Sequence, residues 1–186
     1  MKKIFLSAVL ALAATGLMAQ TGSTTTTTLA TGKNGKPLPS PRMLTTAQVG
    51  KAKIDIDYGA PSVKGRNVFF DVVKQDKIWR TGANEATGFK TSGALMVGSL
   101  HVPAGSYTLY TMPTASGWWL VVNKQTGQWG LTYDEKQDLG RVKLTSSTMP
   151  SSQEVFSISI EKIKGNHAEL HIKWDKTDLS TPIMAH

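Results

Sequence analysis

Alternation with a period of two runs through most of this chain, and it restricts the fold more than any other feature. Ile54, Ile56 and Tyr58 alternate with Lys53, Asp55 and Asp57, and Phe156, Ile158 and Ile160 alternate with Ser157, Ser159 and Glu161. Ala168, Leu170, Ile172 and Trp174 do the same with His167, Glu169, His171 and Lys173. Successive side chains of an extended chain point to opposite faces, so each run reads as a strand with one buried and one wet face. Further strands are predicted over 78–81, 86–91, 95–102, 107–112, 118–123, 141–145 and 179–184. Turn chemistry separates them, as at Gly59-Ala60-Pro61-Ser62, Lys64-Gly65-Arg66, Pro103-Ala104-Gly105 and Lys164-Gly165-Asn166. Short strands with closely spaced turns predict an all-β fold, an antiparallel β-sandwich of jelly-roll-like or Ig-like type. One or two short helical turns are expected, over 68–73 and 133–138.

The pattern does not extend to the beginning of the chain. Residues 1–19 place Lys2 and Lys3 before an apolar run over 4–14, then small residues up to Ala19. This is the layout of a secretory signal peptide, with cleavage expected after Ala19, or after Ala13 or Gly16, and an apolar run too short to span a bilayer. Residues 20–41 are rich in Thr, Gly, Lys and Pro and nearly free of large apolar side chains. Such a segment cannot bury enough surface to offset its ordering entropy, so it reads as a disordered leader. The folded part is then expected over 42–186 as one β-sandwich domain. No later stretch approaches membrane-spanning length, so the mature chain is expected to be an exported protein, periplasmic or extracellular, without a transmembrane segment.

The chain has no cysteine. Disulfides, zinc–cysteine sites, Fe–S clusters and thiol nucleophiles are thereby excluded, and an exported chain of this kind must be held by its core alone. Lys and Arg number 21 against 13 Asp and Glu, a net charge of +8 that falls to +6 without Lys2 and Lys3. A nucleic-acid partner is not expected, because acidic residues are interspersed and no nucleic-acid-binding motif is present. In an envelope the natural anionic partners are acidic polysaccharide, lipopolysaccharide or lipid head groups.

Several blocks then occur in a recognisable order: SPR at 40–42, DYGAPSVKGRNVF at 57–69, KIWRTGANEAT at 77–87, VPAGSYTLYTMP at 102–113, and Trp129-Gly130 followed by Tyr133 and Asp138. Together they resemble the bacterial exported domain of unknown function 2911 family over nearly all of the mature chain. The resemblance implies an exported, mostly β protein and supplies no activity. Gly59-Ala60-Pro61 stands where that family carries Ser-Arg-Pro, so a role tied to that arginine does not carry over.

The block around residues 79–85 is the most suggestive for chemistry. Trp79 supplies a large apolar surface, Arg80 a planar five-donor fork, and Asn84 and Glu85 an amide and a carboxylate, around a turn at Gly82-Ala83. Such a set suits a carboxylate, phosphate or sugar ligand. It equally suits a loop whose polar groups tie down its own backbone. Tyr110 and Trp119, on successive strands, are candidates for an aromatic platform on one sheet face, and Trp129 and Tyr133 extend the candidate ligand-binding set. The alternative is that the loop over 125–138 covers that face, with Trp129 and Tyr133 packed on top.

Asp55 and Asp57 share a strand face at about 7 Å, a spacing open to a glycosidase pair or a calcium site, but Lys53 shares it and a solvated charged stripe fits better. His167 and His171 stand about 13 Å apart on a strand, too far to share an ion, so no metal site and no cofactor is expected. No Gly-x-Ser-x-Gly elbow, phosphate-binding loop or dinucleotide fingerprint occurs. The expected function is therefore a noncatalytic module that binds a glycan or an anionic envelope component. The alternatives are a cell-wall or polysaccharide hydrolase using Asp55, Asp57 or Glu85, and a structural or assembly protein of the envelope.

Overall fold

The alternating runs become antiparallel strands. The computed structural model describes residues 24–28 and 40–186 and contains little helix: α1 (Val68–Asp71) and a 3-10 turn at Glu135–Gln137. Among the described residues ten strands follow in chain order: β1 (Thr24–Thr28), β2 (Arg42–Val49), β3 (Ala52–Gly59), β4 (Ala83–Thr91), β5 (Leu95–Val97), β6 (Leu100–Val102), β7 (Gly105–Thr114), β8 (Gly117–Asn123), β9 (Asp138–Lys164) and β10 (His167–Ala185). Their hydrogen-bonded order is β1-β2-β3-β4-β7-β8-β9-β10-β5-β6, antiparallel at every step. The expected signal segment lies outside the described residues. So does the leader, except for β1, a run of β-branched threonines paired along β2, and the buried Ser40 with its neighbour Pro41.

Two elements are longer than the alternation indicated. The segments read separately at 141–145 and around 156–160 are two parts of the single strand β9, and those around 168–174 and 179–184 are parts of β10. Between them the register jumps from Lys173↔Ser157 to Asp175↔Gln153 and Thr177↔Thr148, so β9 bulges where the ribbon bends. The intervening stretch Ser146-Ser147-Thr148 to Pro150-Ser151-Ser152 is polar and mostly exposed, and so shows no apolar period. The reverse happens over 95–102, where a turn at Gly98 splits one expected strand into the β5–β6 hairpin.

The main core gathers Ile54, Ile56 and Tyr58 from β3, Leu120 and Val122 from β8, Phe156, Ile158 and Ile160 from β9, and Leu170, Ile172 and Trp174 from β10. Polar atoms stitch β9 to β2 and β3. Thr45 Oγ1 donates to the Ile158 carbonyl (2.7 Å), while the Tyr58 hydroxyl donates to the same carbonyl (3.3 Å) and accepts from Ile158 N (3.1 Å). A smaller cluster of Ala86, Tyr110 and Val121, joined by Ile78 and Tyr133, forms elsewhere on the sheet.

The face of β10 expected to be solvated holds one exception. His171 is only 7% exposed, with Nδ1 2.9 Å from Asp178 Oδ1 and Nε2 3.0 Å from Glu169 Oε2. Lys173 bonds Glu161 (2.6 Å) and Lys162 bonds Glu169 (2.8 Å). Burial of Glu161 raises its carboxyl pKa, but the hydrogen bonds from Lys173 and Ser159 outweigh this and hold it below the usual range. The hydrogen bond from Lys162 does the same for Glu169. A carboxylate whose folded-state pKa is depressed contributes stability that is complete above its unfolded value, about 4.3 for Glu, and is lost as pH falls through the lower folded value. Urea midpoints are therefore expected to fall with acidification below that value, and the fall is expected to be shallower in Glu161→Gln. Superimposable pH profiles for the two proteins would contradict this.

Candidate functional site

The chain between residues 79 and 85 is pinned at its start by Trp79. Its N–H and carbonyl pair with Thr111, and its indole is buried, stacked on Trp174 at 5.6 Å and 8° and edge-on to Phe156. The next residues leave strand geometry. Thr81 is buried with φ 53°, and a β-branched residue in the left-handed region is costly unless its surroundings hold it. Here Thr81 Oγ1 reaches Thr111 Oγ1 at 3.2 Å, and Thr87 Oγ1 donates to the Thr81 carbonyl at 2.7 Å. Asn84 also has positive φ (66°). The loop then lies close against the end of β3, where a Cβ on Gly59 would meet the Ala83 carbonyl oxygen at 2.2 Å. Only a glycine at 59 lets these two backbones approach.

Arg80 is carried by this loop into a cavity of about 400 Å³, lined also by Ser40, Pro61, Ser62, Lys64, Arg66, Val72, Gly82, Ala83 and Asn84. Three of the lining residues are cations and none is a carboxylate. Among the described residues, Lys64, Arg66 and Arg80 are in no salt bridge. Arg80 Nε is buried without a hydrogen-bond partner, and burial with no compensating charge lowers the pKa of the guanidinium. Arg66 is fixed differently: its Nε donates to the Val63 carbonyl (3.0 Å) and a second nitrogen to the Ser62 carbonyl (2.5 Å). Gly130 makes room for Arg80, since a Cβ there would stand 2.0 Å from Arg80 Cδ.

Of the residues singled out from sequence, Arg80 and Asn84 therefore meet in one cavity, and the others are placed elsewhere. Trp79 belongs to the core. Glu85 accepts from Arg42 (2.8 Å), which also grips both oxygens of Asp57 at 2.7 Å. Tyr110 forms no surface platform: it is fully buried, donates to the Thr132 carbonyl (2.9 Å) and lies against Tyr133 at 4.9 Å. The 125–138 loop covers it, because Gln128 Nε2 supplies a donor to its hydroxyl at 2.9 Å. Tyr133 packs there as the covering reading expects, and its hydroxyl donates to Asp138 (2.8 Å), with burial foremost in pushing its pKa up to about 12. Trp129 does not pack down; it is 51% exposed, bridged to Glu85. Trp119 is half-buried, opposite Met112 and Lys143.

Lys64, Arg66, Ser40 and Ser62 were not legible as site residues. The Lys64-Gly65-Arg66 turn has a turn's composition, and nothing local says that it faces Arg80. Two cations flanking a glycine were the available signal.

The carboxylates considered for hydrolysis are all partnered. Asp57 and Glu85 share Arg42, and Asp55 accepts from Thr46 (2.8 Å) and pairs with Lys53 (3.0 Å). Burial raises the Asp55 pKa, yet the bonds from Lys53 and Thr46 bring it below the usual carboxylate range. A general acid needs the opposite shift.

Fold and site together define an all-β antiparallel protein with a basic, carboxylate-free cavity beside a strained loop. A family model described as a protein of unknown function (DUF2911) matches residues 40–183, and the chain belongs to that family. No curated protein and no solved structure matches it.

Proposed function

We propose that this chain is a noncatalytic binding module of the bacterial envelope, an exported β-sandwich whose basic cavity holds an anionic ligand such as an acidic glycan. The observation that carries this reading is Arg80, a cation partly withdrawn from water that is in no salt bridge among the described residues. A charge held at that cost is explained by a ligand that supplies the missing anion, since a fork of N–H donors pairs with carboxylate or phosphate in bidentate fashion. The pairing of every candidate carboxylate with a cation or a hydroxyl favours binding over hydrolysis. A sandwich is favoured by the bonds from Thr45 and Tyr58 to Ile158, which lay the β9–β10 ribbon against β2 and β3. Export rests on the sequence of residues 1–19.

A glycan array carrying neutral, uronate-bearing and phosphorylated glycans tests the reading. Wild-type protein is expected to bind charged glycans and Arg80→Met to bind none of them. Absence of binding by the wild type, or equal binding by the variant, overturns it.

A further inference from the structure

We infer that the cavity is built for a doubly charged phosphate monoester rather than for a carboxylate or a neutral sugar. This rests on the anion-binding reading above and narrows it. The first ground is charge balance. Lys64, Arg66 and Arg80 line the cavity, and no Asp, Glu or His does. A single carboxylate would leave most of that positive charge unanswered. A phosphate monoester brings about −1.5 to −2 at neutral pH and three acceptor oxygens.

The second ground is the kind of donor available. Arg80 Nε makes no hydrogen bond within the described residues, and Arg66 has a guanidinium already held in place by the Ser62 and Val63 carbonyls. A donor fixed before binding loses little freedom on binding, and planar guanidinium forks match phosphate geometry. Lys64, from the same turn, adds a mobile point charge.

The third ground is what surrounds the cations. Ser40, Ser62 and Asn84 give hydroxyl and amide groups for the hydroxyls of an attached sugar or glycerol, while Pro61 and Val72 form an apolar wall. A volume of about 400 Å³ exceeds what bare phosphate needs and lies within the range of small-ligand sites. The same chemistry occurs in a soluble sugar phosphate and in a lipid bearing a terminal phosphate monoester.

Calorimetric titration of the purified protein with glucose 6-phosphate, glucuronate and glucose separates the possibilities. Sedimentation with phosphatidylcholine vesicles, with and without phosphatidic acid, adds the lipid source. Glucose 6-phosphate or phosphatidic acid vesicles are expected to bind, glucuronate at least about tenfold more weakly, and glucose not at all. Because no Asp, Glu or His lines the cavity, and the neighbouring Glu154 carboxylate is engaged by Lys64 N (2.9 Å), the second ionisation of the phosphate near pH 6 is expected to weaken binding about tenfold at pH 5. Arg80→Met and, on a separate element, Lys64→Gln are each expected to weaken binding about tenfold or more, with circular dichroism showing both folded. Soluble ester binding identifies a free ligand, and vesicle binding alone identifies a lipid. Glucuronate binding as tightly as the phosphate ester, with no pH dependence, overturns the phosphate assignment and leaves the anion reading in place. Binding of neither anion nor vesicle overturns both, and binding indifferent to both substitutions overturns the site.

Discussion

Truncating Trp79 to alanine is expected to destabilise the fold by about 3–5 kcal/mol, the usual cost of emptying a buried aromatic site. Arg80→Met, one residue along, is expected to leave stability unchanged or to raise it by about 1 kcal/mol. The contrast follows from which way each side chain faces. Trp79 stacks on Trp174 and meets Phe156 edge-on, in a part of the core that joins the loop to both long strands. Its removal leaves a hole that rigid neighbours cannot fill. Among the described residues Arg80 has no carboxylate to answer it, and burial already disfavours its charge. Methionine keeps an unbranched stem over Gly130 and discards the desolvated fork. Urea denaturation followed by circular dichroism measures both variants. A loss in Arg80→Met comparable with that in Trp79→Ala would mean that the guanidinium holds the loop together and is not kept for a ligand. A gain in stability joined to a loss of binding would mark a residue retained for function at the expense of the fold.

Adjacent residues with such different roles explain why the sequence could locate the loop but not divide it. Strand positions were legible wherever apolar residues alternated, as in Ile54, Ile56 and Tyr58, because that pattern is a direct record of which face is buried. The middle of β9 was not, because Ser146 to Ser152 is exposed and leaves no such record. His171 departs from its expected exposure for a related reason. Parity assigns it to the wet face, and the carboxylates that surround it come from Asp178, beyond the bend, and from Glu161 across the ribbon as well as from its neighbour Glu169. The same holds for the cavity. Arg80 and Asn84 share a local motif, but Lys64 and Arg66 join them across the fold, where Gly59 lets β3 press against Ala83. Long-range placement of charge is set by backbone approach, and composition does not report that. Sequence leaves Tyr110 open between a surface platform and a ring covered by the 125–138 loop, because its hydroxyl partners, Thr132 and Gln128, lie in a loop without periodicity.

Gly130→Ala is expected to cost about 1–3 kcal/mol through overpacking and to remove anion binding while leaving every cation of the cavity in the sequence. The Trp129-Gly130 pair looks like a turn element, yet no left-handed φ marks Gly130, and space alone requires glycine there. An added Cβ would lie 2.0 Å from Arg80 Cδ, 3.0 Å from Arg80 Nε and 2.7 Å from the Asn84 carbonyl oxygen. The first two contacts are with a flexible side chain, which can swing away at the expense of its place in the cavity. The third is with backbone, and the hydrogen bond from Gly130 N to that same carbonyl (3.2 Å) must stretch to relieve it. The two parts separate in a double-mutant cycle. Arg80→Ala removes the Cδ and Nε contacts, so Gly130→Ala is expected to be less damaging in that background, with a coupling of about 1 kcal/mol. What remains is the strain at Asn84. Additive effects would show that the Arg80 side chain does not pass over Gly130. Full anion binding by the single variant would show that the ligand is held without the fork. Coupled stability together with lost binding would tie the glycine of one loop to the arginine of another through a single occupied volume, the same volume that presents the guanidinium to its ligand.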